Sequence, residues 1–411
     1  MKMSRFLLAL AMICAMFMGK ALAQSGKRYA EPVFDEVNVV GGIPYSSAVK
    51  EGQATPTTLY LDFYEPQSDT LSSRPLVITV FGGAFVTGSR DFVDMVEYCT
   101  RLAKHGYAAA SIDYRLLSLL NLSHSSLVRT AYMAAQDVSS SIRFFKAHCE
   151  EYRIDPSQIF LLGNSAGSIA LLCELFMDED ERPEETFESP DLGSMHSSGF
   201  DEYAGISPAV AGAIPQWGGV ISCDIIGAEE YVPLCMIHGT DDATVPIDSG
   251  FCYSSSLFGL MPYMYGSQTI ANHLNNMGIS DYGFYPFEGE GHAFYYTLLY
   301  QLNDQFDVCF DIARDFLFEH LNSPASLTEG NEDRIQVYPN PASDLLKVCA
   351  EEMVTNKPFT IVIVDVMGRV MMEMESFSPE VTVDISHWPT GVYSIRMERT
   401  GLCNCSTFVK R

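Results

Sequence analysis

Positive charge is scarce in this 411-residue chain: 25 lysines and arginines face 52 aspartates and glutamates, a formal net charge of −27. Such an anionic surface repels phosphate backbones and acidic bilayers, which disfavours nucleic acid and anionic membranes as partners, and no nucleic acid is expected. The eleven cysteines include no C-x-x-C pair, so no zinc site is expected. Beyond Cys14 they read as small buried hydrophobes or, after export, as disulfide formers, with Cys349 to Cys403 or Cys405 as one candidate bridge. Long apolar runs are missing too. The stretch Phe6 to Met18 is shorter than the roughly 20 residues of a spanning helix, and no later stretch is apolar enough to span. The acidic run Asp178 to Glu185 reads as an exposed loop, not as a metal cage.

What the chain does have begins at its N-terminus. Lys2 and Arg5, the apolar run, and Ala21-Leu22-Ala23 before Gln24 make up a cleavable secretory signal over residues 1–23, so export is expected. Its removal takes away three basic residues and no acid, leaving −30. With 47% hydrophobic residues the remainder suffices for one large domain and one small one. An α/β domain is expected over 24–322, a polar linker over 323–334, and an all-β domain over 335–411.

In the large domain, short apolar or β-branched runs alternate with longer amphipathic ones. This is the pattern of a mostly parallel, doubly wound sheet covered by helices. Expected strands are Leu76 to Val80, Ala108 to Ile112, Ile159 to Leu162, Ala211 to Pro215, Leu234 to Ile237 and Tyr282 to Pro286. Expected helices are Asp91 to Lys104, Ser126 to His148, Ser168 to Met177, Ser267 to Met277 and Phe306 to His320. Glu36 to Val40 and Leu59 to Tyr64 alternate, as a leading antiparallel pair does. Asp178 to Ser207 breaks the rhythm and reads either as a substrate-facing lid or as a plain surface loop. Beyond the linker, Leu346 to Cys349, Phe359 to Asp365, Val381 to Ile385, Val392 to Met397 and Thr407 to Val409 predict a small sandwich without helices.

Chemistry concentrates at three strand ends. Gly163-Asn164-Ser165-Ala166-Gly167 lies between an expected strand and an expected helix. A nucleophilic serine needs that sharp turn, with glycines where side chains would clash. Ser165 needs a base and an orienting acid, in the order Ser, Asp, His. Asp242 follows the strand that ends at Ile237, and His292 follows the strand that ends at Pro286. Asp241 stands as the alternative acid, since only spacing separates the two. His238 ends a buried strand and reads as a structural histidine. The glycine-rich turn Phe81-Gly82-Gly83-Ala84-Phe85 would aim the amides of Gly82 and Gly83 at an oxyanion, joined by that of Ala166 at the helix start. Acyl transfer by such a set requires no cofactor. Phe251, Tyr253, Phe258, Tyr263 and Tyr265 either line an acyl or sugar site or serve as packing.

These residues resemble the esterase and lipase branch of the α/β-hydrolases, which includes hormone-sensitive-lipase-like enzymes and acetyl and feruloyl esterases. The resemblance runs from Leu59 to His320. It rests on the G-G-A-F loop with Gly88-Ser89, on Ser111 to Leu116, on the elbow, on H-G-T-x-D-x-x-V-P and on G-x-G-H. It implies a triad at Ser165, Asp242 and His292, an oxyanion hole at Gly82, Gly83 and Ala166, and ester substrates, either small molecules or acetyl and feruloyl esters of polysaccharide. A peptidase, amidase or lysophospholipase with the same triad, and a non-catalytic surface-binding protein, are the alternative readings. The chain departs from the family at Phe81, where the family usually has a histidine that helps fix the loop. The C-terminal stretch resembles the sorting domain of type IX secretion cargo, at Val337 to Ala342, Asp365 to Arg369, Gly391 to Tyr393 and Phe408 to Arg411. That resemblance implies passage through the periplasm of a Gram-negative bacterium, handling by the secretion machinery, and release or display at the cell surface.

Overall fold

Strands that are apolar along their length must be covered on both faces, and this fixes the centre of the larger unit. The computed structural model describes residues 28–197, 199–200, 203, 205–228, 231–253, 262–321, 336–338, 342–349, 359–365, 370–376, 378, 380–399 and 402–411. The expected signal (1–23) and linker (323–334) lie outside them. The chain divides into two units, one up to Thr328 and one from Glu329.

In the first unit β1 (Val37–Val49) and β2 (Pro56–Pro66) form the expected antiparallel pair. They are followed by β3 (Arg74–Val80), helix α1 (Val93–His105), β4 (Ala108–Ile112), α2 (His124–Ala147), the short α3 (Cys149–Tyr152), β5 (Ile154–Asn164) and α4 (Ala166–Phe176). Then come β6 (Gly212–Gln216), β7 (Gly219–Val220), β8 (Leu234–Gly239), β9 (Ser249–Phe251), β10 (Tyr263–Gly266), α5 (Ser267–Asn276), β11 (Tyr282–Phe287) and α6 (Asp304–Glu319). The main sheet has the order β1-β2-β4-β3-β5-β6-β8-β11. Strand β2 runs against both neighbours, and every pairing from β4 to β11 is parallel. This is the α/β-hydrolase fold. Ligand sites of such sheets gather beyond the carboxyl ends of the strands, and β3, β5, β8 and β11 all deliver candidate residues there. Sheet β7-β10-β9 was not expected, because strands of two to four residues carry no readable period.

Local chemistry sets the helix limits. Ser123 caps α2: its hydroxyl accepts from the Ser126 amide at 3.1 Å, and Ser126 answers with its own side chain. Helix α1 ends at Gly106, whose φ of 102° suits glycine. Helix α4 is apolar nearly all round and buried against α2, β5 and β6. Its one charged residue is Glu174, which is buried and whose Oε2 has no hydrogen-bond partner among the described residues. Burial pushes this carboxyl up to about 8, against the pull of Lys146 and Arg143. A raised folded-state value means that the native chain holds the proton longer than the unfolded one. The contribution is therefore fully present below about pH 4.3 and is lost as pH rises towards 8. Glu174→Gln is expected to flatten this dependence: its Tm gain over the parent grows from pH 5 to pH 8, as followed by circular dichroism in a pH series.

The second unit holds two antiparallel sheets. One is β12 (Gln336–Tyr338), β13 (Leu345–Cys349) and β16 (Glu380–Asp384); the other is β15 (Val370–Ser376), β14 (Phe359–Asp365), β17 (Gly391–Arg399) and β18 (Leu402–Lys410). Leu346, Val348, Ile361, Ile363, Val383 and Ile395 form one core between them. Among the described residues this unit has no helix. The turn at residues 366–369 lies outside the described residues, as do the side chains of Cys349, Cys403 and Cys405.

Candidate active site

Ser165 sits at φ 50° and ψ −119°, a backbone state that costs an L-residue about 1–3 kcal/mol. The surroundings enforce it. A Cβ at Gly167 would lie 2.1 Å from the Val80 carbonyl, and one at Gly163 would lie 2.9 Å from the Gly167 carbonyl carbon. Glycine at 163 thus lets β5 approach α4, and glycine at 167 lets the start of α4 approach the end of β3. The Ser165 amide donates to the Gln216 carbonyl at 2.9 Å, which ties the turn to β6. Its Oγ lies 2.9 Å from His292 Nε2.

His292 Nδ1 lies 2.7 Å from Asp242 Oδ2. A carboxylate only accepts, so Nδ1 carries the proton and Nε2 is left free to take one from Ser165. Asp242 is buried and its Oδ1 accepts the amides of Thr244 (2.8 Å) and Val245 (2.9 Å). Burial by itself would raise the Asp242 carboxyl. Hydrogen bonds from His238 and His292 outweigh that and hold it well below the usual carboxylate range. Asp241, the alternative acid, is exposed. His238 is fully buried, between Ser267 Oγ at 2.9 Å and the Val245 carbonyl at 2.9 Å, with Asp242 Oδ2 3.2 Å from its Nε2. The His292 loop closes on β8 where a Cβ at Gly239 would lie 2.3 Å from the Glu290 carbonyl.

The glycine turn lies against the serine. A Cβ at Gly82 would sit 3.0 Å from Ser165 Cβ and 2.7 Å from Asn164 Oδ1, and Gly83 has φ 129°. Ala166 is the first helical residue, where an amide has no partner within its helix. At the departure from the family, Phe81 is buried and stacked on Tyr114 with ring centroids 4.3 Å apart, and the Tyr114 hydroxyl donates to the Phe81 carbonyl at 3.0 Å. Packing thus fixes the loop where the family uses a histidine. Gly82→Ala is expected to push the loop off Ser165 and lower kcat roughly 100-fold, about the worth of one oxyanion donor. Circular dichroism alongside the assay checks that the fold is kept.

An apolar cavity opens at Ser165. Its walls come from the glycine turn (Ala84, Phe85), α2 (Leu127, Val128, Ala131), α4 (Ile169, Cys173), the region of β7 (Val220, Ile225) and the Asp242 loop (Val245). Among the described residues of the acidic insertion, only Pro183 reaches it. The described part of that insertion is fastened to α2. Arg129 donates to the carbonyls of Glu185, Glu188 and Pro190, and the Gln136 amide donates to those of Leu192 and Ser194. Of the aromatic group, Tyr253 lines the cavity, Phe251 and Tyr263 are exposed and pack on each other, and Tyr265 packs against Tyr263. Phe258 lies outside the described residues.

Sequence reasoning missed the support beneath the site. Asp94, fully buried in the first turn of α1, accepts at Oδ2 from Asn164 Nδ2 (2.5 Å) and from the Tyr295 hydroxyl (2.9 Å). Burial lifts its carboxyl above the ordinary range, although the hydroxyls of Tyr296 and Tyr295 and the Met95 amide favour its charged form. Gln216 joins through Tyr295 (3.1 Å) and Tyr98 (2.7 Å). Asp94 has no motif around it. Among the described residues no group of three or more His, Cys, Asp or Glu is arranged to hold a metal, and no helix is long and apolar enough to cross a membrane.

Two stretches match known families: residues 61–197 match the family described as BD-FAE, and residues 336–410 match the secretion system C-terminal sorting domain. The first unit thus has the α/β-hydrolase fold, with a stretch that matches BD-FAE, and the second matches a C-terminal sorting domain, the mark of type IX secretion and of a place outside the cell or on its surface. Similar curated proteins include a probable isoprenylcysteine alpha-carbonyl methylesterase of Arabidopsis thaliana, 26% identical over 48% of this chain and 44% of that one. Gut esterase 1 of Caenorhabditis elegans is 25% identical over 41% and 29%. The chain thus spans less than half the length of the curated relatives it matches. Among solved structures, Thermogutta terrifontis esterase 2 is 23% identical over 70% of this chain and 95% of its own, with a TM-score of 0.46.

Proposed function

We propose that the chain is an exported carboxylic ester hydrolase that works by two-step acyl transfer. The observation that carries this reading is the relay from Ser165 Oγ through His292 to buried Asp242, at 2.9 and 2.7 Å. Ser165 Oγ bonds the ester carbonyl carbon as its proton passes to His292 Nε2, and the resulting oxyanion faces the amides of Gly82, Gly83 and Ala166. Collapse breaks the bond to the alcohol, which leaves with the proton from His292. A water then gives a proton to His292 and attacks the acyl group, and Ser165 recovers its proton as the acid departs. Ester and water become acid and alcohol.

The preference for esters over amides rests on the esterase names of the relatives. Acetyl and feruloyl esters of polysaccharide are the substrates that the family resemblance implies. Export follows from the sorting domain: we propose that the signal takes the chain to the periplasm, and that the secretion machinery recognises the second unit and delivers the hydrolase to the cell surface. Labelling with a fluorophosphonate tests the catalytic reading. Mass spectrometry is expected to find the adduct on the Ser165 peptide of the native chain and not of heat-unfolded protein; an unlabelled native chain would overturn it.

A further inference from the structure

An ester has two halves, and the site treats them differently. The leaving alcohol must take its proton from His292 Nε2, so it must touch that ring. His292 does not wall the apolar cavity. Its ring lies beside Trp217, centroids 6.3 Å apart, and its side chain is 19% exposed. The cavity begins instead at Ser165 and Ala166, on the oxyanion side, and runs along α4 past Ile169, one turn beyond the serine, to α2. Only the acyl half of an ester held by Ser165 can enter it.

The lining also selects. Among the described residues it contains no acid, base, histidine or carboxamide, the groups that hold sugar hydroxyls and charges. Beyond Ser165 its polar side-chain atoms are the hydroxyls of Tyr132, Thr244 and Tyr253 and two thiols, so a strongly polar acyl group placed there would lose more water contacts than it regains, at a cost comparable to lost hydrogen bonds. A sugar or a charged head is thereby disfavoured, and an acetyl group would reach only the Ser165 end of walls that continue past Ile169 to α2.

We propose that the acyl half of the substrate is an unbranched apolar chain of medium length, seated along the walls that run from Ser165 past Ile169 to α2, while the alcohol half leaves past His292. This deepens the hydrolase reading and rests on it.

The test is a series of p-nitrophenyl esters from acetyl to dodecanoyl, plus a feruloyl ester, with the full chain. The expected result is a rise in kcat/KM of about fourfold per methylene up to the point where the cavity is filled, then a fall. Two variants move the optimum in opposite directions. Ala131→Trp, which intrudes from α2, is expected to cut the octanoyl-to-butyryl preference at least tenfold. Ile169→Ala lengthens the space and shifts the optimum to longer chains, and it decides the matter should the tryptophan variant not fold. Ser165-dependent hydrolysis that peaks at acetyl, or that is fastest on the feruloyl ester, overturns the acyl assignment and leaves the hydrolase reading intact. Turnover that survives Ser165→Ala overturns the hydrolase reading, and this inference with it.

Discussion

Ser165→Ala is expected to reduce kcat for an aryl butyrate by about 10⁴- to 10⁶-fold while leaving the fold intact, as judged by far-UV circular dichroism and Tm. The change removes one oxygen, and the turn that holds residue 165 does not depend on it. That turn is set by Gly163, Gly167 and the bond from the residue 165 amide to Gln216. With Oγ gone the acyl-enzyme cannot form, and His292 and the oxyanion amides are left with at most direct attack by water. Members of such a unit act together, so losing the nucleophile alone costs about as much as losing the whole triad. A variant that keeps more than about a thousandth of the parental rate would show that the reaction runs elsewhere.

Asp242→Asn has the second large expected effect, and the hydrogen bonds predict how it acts. Oδ1 accepts two backbone amides, from Thr244 and Val245, so the carboxamide must keep its oxygen there. That turns its NH₂ towards the position now held by Oδ2, where His292 Nδ1 and His238 Nε2 both approach as donors. Two donors cannot share one proton acceptor that is absent. His292 is therefore driven to the other tautomer, with its proton on Nε2, and it can no longer take one from Ser165. A kcat loss of about 10⁴-fold is expected, with KM changed little, since the residue does not line the cavity. A loss below about tenfold would assign the orienting role to another group.

Much of this was legible in the residues. The elbow could be read because glycine, a preceding apolar run and a following amphipathic run each impose a local constraint. The strand-end positions of Asp242 and His292 could be read for the same reason. Other parts depend on contacts between distant segments. Strand β15, Val-Met-Met-Glu-Met-Glu-Ser, is rich in methionine and glutamate, which are poor strand formers, and it is a strand because β14 pairs with it. Asp94 reads as an ordinary acid in the first turn of a helix, favourable to the dipole; nothing nearby in sequence says that Asn164 and Tyr295 will converge on it. The cavity is assembled from α2, α4 and loops as far apart in the chain as Ala84 and Met264, so its apolar character could not be read from any one of them. Between Asp241 and Asp242 the choice comes down to which carboxylate the β8 turn points inward.

The Asp94 carboxylate has one more consequence. The neighbour of the nucleophile and a residue three beyond the base both hang from a single oxygen on a third segment, helix α1. The spacing of serine and histidine is thus referenced to a common anchor instead of to two independent loops. Neither can drift without dragging the other, and the anchor cannot release them unless α1 undocks from the sheet. Function and architecture should then fail as one event: in a urea titration, the loss of ester hydrolysis and the loss of helical ellipticity are expected to share a midpoint, where a site built on free loops would fall silent well before its scaffold melts.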